Sequence, residues 1–432
     1  MISDSKSKIT AIVGANWGDE GKGKITDIKA GQADVVVRFQ GGGNAGHTIL
    51  NEYGKFALHQ MPSGMFYEDV VNIIGNGCAL NLEYLEKEIA KVLEIVQDLK
   101  FQLMLDQRVP LLLPHHILLD ELEEERRGDR QFGSTKSGIA PFYAEKYFKE
   151  AIQLNEIFDD AHLKNRLEHL YEKVNLTLVG VYKAEPVKYM DIYERIVKFR
   201  PFVERHMGDA TTFLRKSREQ GKNILLEGQL GALRDVGMGI YPYVTSSHTL
   251  AGFASVGASI PPYAITNILA VTKAYSSCVG AGPFVAELFD EEADELRMRG
   301  GHAGEFGALT GRPRRVGYFD AVATRYGTEC QAATQLAMTG IDVLSYLDEI
   351  PICVAYEING KEVTDFPAPP LLDDAKPVYE ILPGFKQDIR GIRKFGDLPE
   401  NAKSYVRFIE KQVGVPITWL SNGPKREEIV EL

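Results

Sequence analysis

Cysteines are scarce in this sequence, and their spacing suits neither a disulfide framework nor a metal site. The 432 residues include four cysteines, Cys78, Cys278, Cys330 and Cys353, with no CxxC pair and no histidine at ligand spacing. Disulfide scaffolds and zinc sites normally require such pairs. We therefore expect free thiols and a reducing, cytoplasmic setting.

Long apolar runs and an excess of positive charge are also missing. No stretch approaches the roughly 20 apolar residues that a membrane span requires, and the first residues, MISDSKSK, are polar. The formal net charge is -11, which would repel the anionic surfaces of nucleic acids and membranes. We expect a soluble protein that binds neither.

What remains is an ordinary globular composition, with 44% hydrophobic and 25% charged residues. Short β-branched runs alternate with helical patterns, which is typical of a largely parallel sheet flanked by helices. Buried strands are predicted at 8–14, 34–40, 71–77, 222–228, 264–275, 351–358 and 415–421. Core-facing helices are predicted at 82–96 and 402–413. The expected fold class is α/β.

The pattern indicates one elaborated domain over residues 1–432, without internal repeats. Residues from about 142 to 215 combine helical spacing with many charges and are predicted to form a helical insertion. The Pro-rich segment 365–384 is linker-like, although strand patterns resume after it.

A glycine-rich loop, VGANWGDEGKGKIT (13–26), follows the first predicted strand. A standard phosphate loop has four residues between its first glycine and the Gly-Lys pair, and then a Ser or Thr on magnesium. Here six residues separate Gly14 from Gly21, and Gly23 follows Lys22. Lys22 and the neighbouring amides could still bind polyphosphate, while Asp19 could bind magnesium or accept a proton. The alternative is a glycine-rich turn with surface acids.

Four further clusters are candidates for ligand contacts. RFQGGGNAGHT (38–48) follows a strand and offers Asn44, His47 and Thr48 beside close-approach glycines. GSTKSG (133–138) and YPYVTSSHT (241–249) offer hydroxyls, although such runs are usually turns. LTGRPRRVG (309–317) clusters three arginines, which suits carboxylate or phosphate recognition but also a salt-bridged surface.

These motifs together resemble the adenylosuccinate synthetase family from about residue 8 to 430. The resemblance rests on WGDEGKGK (17–24), QGGGNAGHT (40–48), PSG (62–64), YPYVTSS (241–247), KAY with VGAGPF (273–284), TGRPRR (310–315) and SNGP (421–424), which occur in the family's order. It implies a sheet similar to that of phosphate-loop nucleoside triphosphatases, with helical insertions. The implied reaction is GTP-dependent ligation of L-aspartate to IMP through 6-phosphoryl-IMP, in purine biosynthesis.

The resemblance also implies roles for individual residues. Asp19 would accept the purine N1 proton and bind Mg²⁺ together with the Gly46 carbonyl, and His47 and Lys22 would contact the transferring phosphoryl group. Nucleotide or phosphate contacts are implied for Gly18, Glu20, Gly21, Gly23, Lys24, Asn44, Thr48, Thr135, Lys149, Gln229, Thr245, Asp342, Ser421, Gly423 and Pro424. Thr310, Arg312 and Arg314 would bind aspartate, and a homodimer would bring Lys149 across its interface.

The sequence departs from the family pattern at several positions. Leu230 stands where a Gln usually reaches the purine 6-position, although Gln229 beside it could take over. The usual Arg is replaced at Ser137, Lys149 and Cys278, a Thr at Leu309, and a Lys at Gly340. Two alternatives stay open: a relative that uses another 6-oxopurine nucleotide or ATP, and a weakened nucleotide-binding paralogue.

Overall fold

The protein is described as a computed structural model covering residues 7–301, 304–307 and 311–432. Its strands are β1 (Ile9–Gly14), β2 (Val35–Arg38), β3 (His47–Asn51), β4 (Gly54–Leu58), β5 (Val71–Ile74), β6 (Gln102–Asp106), β7 (Met207–Gly208), β8 (Ile224–Glu227), β9 (Asn267–Lys273), β10 (Ser276–Cys278), β11 (Arg315–Gly317), β12 (Phe319–Asp320), β13 (Gln335–Thr339), β14 (Glu349–Ile358), β15 (Lys361–Val363), β16 (Lys376–Pro383), β17 (Ile417–Ser421) and β18 (Ile429–Glu431).

The α-helices form both the covering layers and the predicted insertion. They are α1 (Lys22–Ala30), α2 (Leu82–Ile95), α3 (Pro114–Arg127), α4 (Ile139–Tyr147), α5 (Asp160–Thr177), α6 (Tyr189–Val197), α7 (Arg200–His206), α8 (Ala210–Glu219), α9 (Ala254–Gly257), α10 (Asp290–Arg299), α11 (Ala321–Gln331) and α12 (Glu400–Val413). Helices α4 to α8 occupy the region from 139 to 219, interrupted by the two residues of β7.

A ten-stranded sheet forms the centre, in the order β18-β17-β13-β9-β1-β8-β2-β5-β6-β7. Neighbouring strands are parallel throughout, except that β18 runs antiparallel to β17. Strands β1, β2 and β8 are buried at every position, because helices cover both faces of such a sheet. The predicted α/β class with a largely parallel sheet is confirmed.

The predicted strands exist, but one lies in a different sheet, and several short strands were missed, among them β6 and β13 of the central sheet. β14 lies in a separate sheet, where it pairs with β12 in parallel and with β15 and β16 antiparallel. β6 and β13 were not predicted, because QLMLD and QLAMT are short and lack the β-branched enrichment that marked the other runs. The Pro-rich segment 365–384 is no linker, since its residues 376–383 form β16.

Helix α11 packs directly on the residue that follows β1. A Cβ at Gly327 would lie 1.8 Å from the Ala15 carbonyl oxygen. This close approach brings α11 against the start of the glycine-rich loop. Within the described ranges, no helix combines the length and apolar character that crossing a bilayer requires.

Replacing Gly327 with Ala should destabilise the protein. Alanine favours an isolated helix by about 0.5–1 kcal/mol over glycine, but overpacking against the Ala15 carbonyl should cost about 1–3 kcal/mol or more. Thermal unfolding should therefore show a lower Tm for Gly327→Ala. Gly252→Ala is the matched control, because a Cβ there meets no atom within 4 Å; equal Tm values for the two variants would contradict this packing.

Candidate active site

The carboxyl ends of the central parallel strands converge on one edge of the sheet. There β1 ends at Gly14, β2 at Arg38, β8 at Glu227, β9 at Lys273 and β17 at Ser421. Loops at this edge are where open α/β sheets bind ligands. The motif-bearing loops after β1, β2 and β17 all start here, so the structure brings them to a common edge.

The loop after β1 forms an anion-binding nest, and its own Glu20 occupies that nest. The Glu20 carboxylate accepts hydrogen bonds from Asn16 N at 3.1 Å and Gly18 N at 2.8 Å, and from Lys22 Nζ at 2.5 Å. Helix α1 begins at Lys22, and Gly21 adopts a positive φ of 83° to start it. A phosphate group would use the same kinds of donor. Glu20 therefore turns into the loop and competes for these donors.

Asp19 lies beside an arginine from the distant TGRPRR motif. Its Oδ2 is 3.3 Å from Arg314 Nε, and its side chain is 34% exposed. Arg314 Nη1 also donates to Glu305 Oε2 at 2.6 Å. Asp19 has a φ of 61°, a left-handed conformation that aspartate tolerates better than most residues. The structure thus places the predicted base next to a predicted aspartate-binding residue.

Glu305 links Arg314 to the end of β9. Its carboxylate accepts from Lys273 Nζ at 2.7 Å and from the Tyr275 hydroxyl. Burial by itself would raise the pKa of the Glu305 carboxyl, but Lys273 and Arg314 lower it to about 2. A buried anion therefore holds two cations at the site, one of which contacts Asp19.

His47 is oriented by a buried glutamate at the end of β8. Its Nδ1 lies 2.5 Å from Glu227 Oε1, and Glu227 also accepts from Ser63 N and Oγ, each at 2.8 Å. Burial lowers the pKa of His47, although Glu227 opposes that shift. His47 Nε2 is buried and has no hydrogen-bond partner among the described residues. An oxygen ligand at Nε2 would satisfy this ring and favour its charged form.

Gln229 is hydrogen-bonded within the protein. It is 1% exposed, donates from Nε2 to Asn44 Oδ1 at 2.9 Å, and accepts from Arg38 at Oε1. Reaching a base would break both hydrogen bonds. Leu230 follows with a φ of 60°, which is uncommon for a bulky residue and often marks a functional site; its side chain lies next to Gly18.

Helix α3 holds the backbone of the GSTKSG loop through two buried acids. Asp120 accepts from Ser134 Oγ at 2.8 Å and from Gly138 N at 2.9 Å. Glu124 accepts from Phe132 N at 3.3 Å and from Gly133 N at 3.2 Å. Thr135 is left exposed, where its hydroxyl is accessible to a ligand.

Two histidines and a glutamate lie together beneath this loop. His115 Nε2 is 2.8 Å from Glu145 Oε2, and His116 Nε2 is 3.0 Å from Glu145 Oε1. Their ligand atoms lie close enough to hold a metal ion. Leu113 N, however, donates to His116 Nδ1 at 2.9 Å, so the neutral ring carries its proton on Nε2. The His115–Glu145 hydrogen bond and the attraction between His116 Nε2–H and the Glu145 carboxylate explain the cluster, which joins α3 to α4.

This cluster should make the protein acid-sensitive. Burial lowers the pKa of His116 from 6.5 to about 4. Between these two pH values the unfolded chain binds the proton and the folded chain does not, so the free energy of unfolding decreases as the pH falls from 6.5 to 4. Burial opposes ionisation of Glu145, but His115 and His116 lower its pKa from 4.5 to about 2. Its contribution, present above 4.5, is lost as the pH falls toward 2.

We expect Glu145→Gln to have a lower Tm than wild type at pH 7 and a shallower fall of Tm below pH 4.5. Glutamine has one accepting oxygen and would present its NH2 group to one of the two histidines, and it does not titrate. Thermal unfolding between pH 7 and pH 3 measures both effects. Glu168→Gln, at an exposed position on α5, is the control; parallel curves for the two variants would refute the account.

A buried arginine links the loop that carries Thr245 to Cys278, the last residue of β10. Arg234 is 9% exposed, and its Nη2 donates to Cys278 Sγ at 2.8 Å and to Val279 O at 2.6 Å. Thr245 N donates to the Arg234 carbonyl at 2.9 Å. A guanidinium therefore reaches the Cys278 position from another part of the chain. Arg312 is exposed, and its guanidinium lies next to Gly133.

The end of β17 and the start of α1 form a second part of the site. Lys24 Nζ donates to Ser421 Oγ, Gly423 O and Glu428 O, each at 2.8 Å. Burial lowers the pKa of Lys24 to about 8. Asp342 is 8% exposed, and burial raises the pKa of its carboxyl while Arg390 opposes that shift.

The remaining predicted residues are placed as follows. Gly23 packs against the backbone of His47 and Thr48, and Thr48 itself is exposed in β3. Gly46 and Pro424 are half-buried. Lys149 is exposed with a φ of 67°. Thr310 lies outside the described residues, as does Leu309.

Sequence reasoning missed Glu227, Glu305, Asp120 and Arg390. Glu227 ends a buried strand, KNILLEG, and a charged residue at that position was a usable signal. Glu305 and Arg390 stand in irregular segments, where nothing local distinguishes them from surface charges.

Comparisons with known proteins identify the family. The family model described as adenylosuccinate synthetase matches residues 11–430. This chain belongs to the adenylosuccinate synthetase family. Similar relatives include the adenylosuccinate synthetases of Alkaliphilus metalliredigens, 43% identical over 97% of both chains, and of Streptococcus gordonii, 42% identical over 96% of both.

Solved structures of the adenylosuccinate synthetase fold are similar as well. The fully ligated adenylosuccinate synthetase of Plasmodium falciparum matches with a TM-score of 0.91 and 33% identity, covering 99% of this chain and 100% of that one. Cyanophage S-2L succinoaminodeoxyadenylate synthetase, solved with dGMP and dATP, matches with a TM-score of 0.61 and 16% identity, over 98% and 95% of the chains. The second likeness concerns the fold alone.

Proposed function

We propose that this chain joins L-aspartate to IMP with GTP, through 6-phosphoryl-IMP, and that Asp19 is the base that starts the reaction. Family membership makes the protein a GTP-dependent C–N ligase of purine biosynthesis. The observation that supports Asp19 is its position. It lies within the anion-binding loop, between Gly18 and Glu20, and its carboxylate is 3.3 Å from Arg314. An acid, a phosphate nest and a carboxylate-binding arginine thus adjoin one another.

In the first step Asp19 accepts the proton from N1 of the purine. Electron density then shifts to O6, which attacks the γ-phosphorus of GTP, and the bond to the β-phosphate oxygen breaks to release GDP. Lys22 and the amides of the loop stabilise charge on the transferring group, which is the main contribution of proteins to phosphoryl transfer. For this, a phosphate must replace Glu20 at the donors that it now holds.

His47 assists the same step from the other side of the loop. Glu227 accepts its Nδ1–H, and this leaves Nε2 for a phosphoryl oxygen. The buried carboxylate also stabilises the charged ring, because an opposite charge nearby favours protonation. His47 would therefore become a better hydrogen-bond donor as negative charge develops.

Magnesium fits the carboxylate of Asp19, because carboxylates are hard oxygen ligands that Mg²⁺ accepts, usually together with phosphate oxygens. The family resemblance implies that the Gly46 carbonyl would be a further ligand. The bound ion would neutralise charge on the triphosphate. Asp19 is one-third exposed, so an ion could reach it.

In the second step the amine of aspartate attacks C6, and phosphate leaves. Arg314 is positioned to bind a substrate carboxylate, since its Nε faces Asp19 while Glu305 fixes its Nη1. Arg312 and Thr310 would complete the aspartate site. Because the incoming carboxylate competes with Asp19 for Arg314, aspartate binding would also release the base.

Asn44, Thr135 and Thr245 would hold the IMP phosphate, and Lys149 would reach it from a second copy of the chain. Lys149 follows Tyr147 and Phe148, whose side chains are 67% and 66% exposed. Adjacent exposed aromatics are enriched at protein interfaces, which supports a homodimer formed around this segment.

Mixing two inactive variants tests the dimer. Asp19→Asn removes a residue of the local site, and Lys149→Ala removes the residue that crosses the interface. After co-refolding, heterodimers should contain one intact site, so activity should recover to about a quarter of wild type for a two-fold symmetric dimer. Without recovery, and with a monomeric mass by light scattering, the dimer proposal fails.

A product assay tests the proposed reaction. Mass spectrometry should detect adenylosuccinate when IMP, aspartate and GTP are all present, and phosphate release should require all three. Gln229 is hydrogen-bonded to Asn44, and Leu230 beside it is apolar. Both features favour testing a second candidate substrate, another 6-oxopurine nucleotide. GMP, dGMP and ATP therefore belong in the same matrix. Product only from GMP or dGMP would transfer the proposal to that substrate.

A further inference from the structure

We infer that Arg390 is a specificity residue that reads the base of the triphosphate together with Asp342. The inference rests on the proposed function and on the family resemblance, which implies that Asp342 pairs with the guanine edge of the triphosphate. It assigns a role to a residue outside every motif recognised in the sequence.

The two side chains form a direct ion pair. Arg390 Nε donates to Asp342 Oδ2 at 3.0 Å, although the residues are 48 positions apart. The Asp342 side chain is 7% exposed, whereas that of Arg390 is 52% exposed. Among the described residues, the guanidinium of Arg390 makes one hydrogen bond, from Nε to Asp342. Its Nη1 and Nη2 therefore remain available to a ligand.

The turn that carries Arg390 is fixed to the predicted base pocket. Asn422 Nδ2 donates to the carbonyls of Ile389, at 2.5 Å, and Ile392, at 2.8 Å. Asn422 is fully buried and directly follows Ser421, which the family resemblance implies flanks the base together with Pro424. Arg390 is therefore positioned by the same segment that would flank the base.

Lys24, a second cation whose charge acts on Asp342, already has three partners. Its Nζ donates to Ser421 Oγ, Gly423 O and Glu428 O, which uses all the protons of an ammonium group. Residue 340, two before Asp342, is glycine and has no charge to offer. Arg390 is thus the cation that pairs with Asp342 and still has free donors.

Guanine presents N2–H, N1–H and O6 in a row, which are two donors and one acceptor. A carboxylate accepts from the donors, while a neighbouring guanidinium can donate to O6. Adenine presents an N1 acceptor and a 6-amino donor at these positions, so it would face both groups with the wrong polarity. A site that leaves buried polar groups unpaired rejects such a ligand. The pair of Asp342 and Arg390 consequently suits a 6-oxopurine triphosphate.

The test compares GTP, ITP and ATP in steady-state assays of wild type and Arg390→Gln with IMP and aspartate. We expect kcat/KM for GTP and ITP to fall by about the same factor, tenfold or more, because both carry O6. ATP should change by less than about threefold, since it has no O6. KM values for IMP and aspartate should stay unchanged.

Two further variants separate base reading from general charge. Arg393→Gln removes a cation from the same turn, where Arg393 donates to the carbonyls of Arg390 and Ile392 and not to Asp342. It should leave the ratio of GTP to ATP use unchanged. Asp342→Asn should weaken GTP more than ITP, because only guanine has the 2-amino group. Arg390→Lys should recover part of the loss.

Several results would overturn the inference. These are an unchanged ratio of GTP to ATP use in Arg390→Gln, an equal loss for GTP and ATP, or improved use of GTP, which would mean that Arg390 blocks Asp342. If wild type forms no product with any triphosphate, the proposed function fails instead. Calorimetric binding of GDP, IDP and ADP then still measures the base preference. An equal effect of Arg390→Gln on the affinities for all three would overturn the inference about Arg390.

Discussion

Asp19→Asn should lower kcat for product formation by about a hundredfold or more, without changing the fold. The amide has the shape of the carboxylate but cannot accept the N1 proton, so O6 stays a poor nucleophile. Asparagine also tolerates the left-handed backbone that Asp19 adopts, with φ of 61°. Quantifying adenylosuccinate by mass spectrometry and Tm by thermal unfolding separates a chemical loss from a structural one.

Asp294→Asn is the matched control for this experiment. Asp294 also pairs with an arginine, Arg297, but its side chain is 75% exposed on α10, outside the strand edge. Its activity should match wild type. If Asp19→Asn retained more than about a tenth of the wild-type kcat, a general-base role for Asp19 would be untenable.

His47→Asn should chiefly slow phosphoryl transfer, with kcat reduced by about a hundredfold and KM for aspartate little changed. Asparagine removes the ring whose buried Nε2 lacks a partner among the described residues. Rapid-quench measurement of GDP formation isolates this step. An unaltered GDP burst with slower adenylosuccinate formation would place His47 in the second step instead.

Glu227→Gln reports on the positioning of the ring. The Glu227 anion opposes the fall in the pKa of His47 that burial causes. Glutamine removes that charge, so the pKa of His47 should fall further. As the pH rises, activity that needs the charged ring should therefore begin to decline at a lower pH than in wild type. His162→Asn, in an exposed His–Glu pair with Glu156 at 2.9 Å, controls for loss of such a pair.

The sequence predicted those features that depend on short stretches of chain. Burial of β1, β2 and β8 leaves continuous apolar runs, and the glycine-rich loops follow these runs directly, so their meeting at one edge could be expected. Asp19, Lys22 and His47 were identified because they stand inside such loops. β13 escaped because five residues without β-branched enrichment carry too weak a pattern.

Which side chains touch across the site was decided only by tertiary structure. His47 contacts Glu227, which lies 180 positions away in the sequence, and Asp19 contacts an arginine from TGRPRR. Gln229 donates a hydrogen bond to Asn44. Local spacing records which face of a strand or helix is buried, because burial follows the period of the element. It does not record which distant loops pack together, and in this protein that packing decides the charged partners of Asp19 and His47.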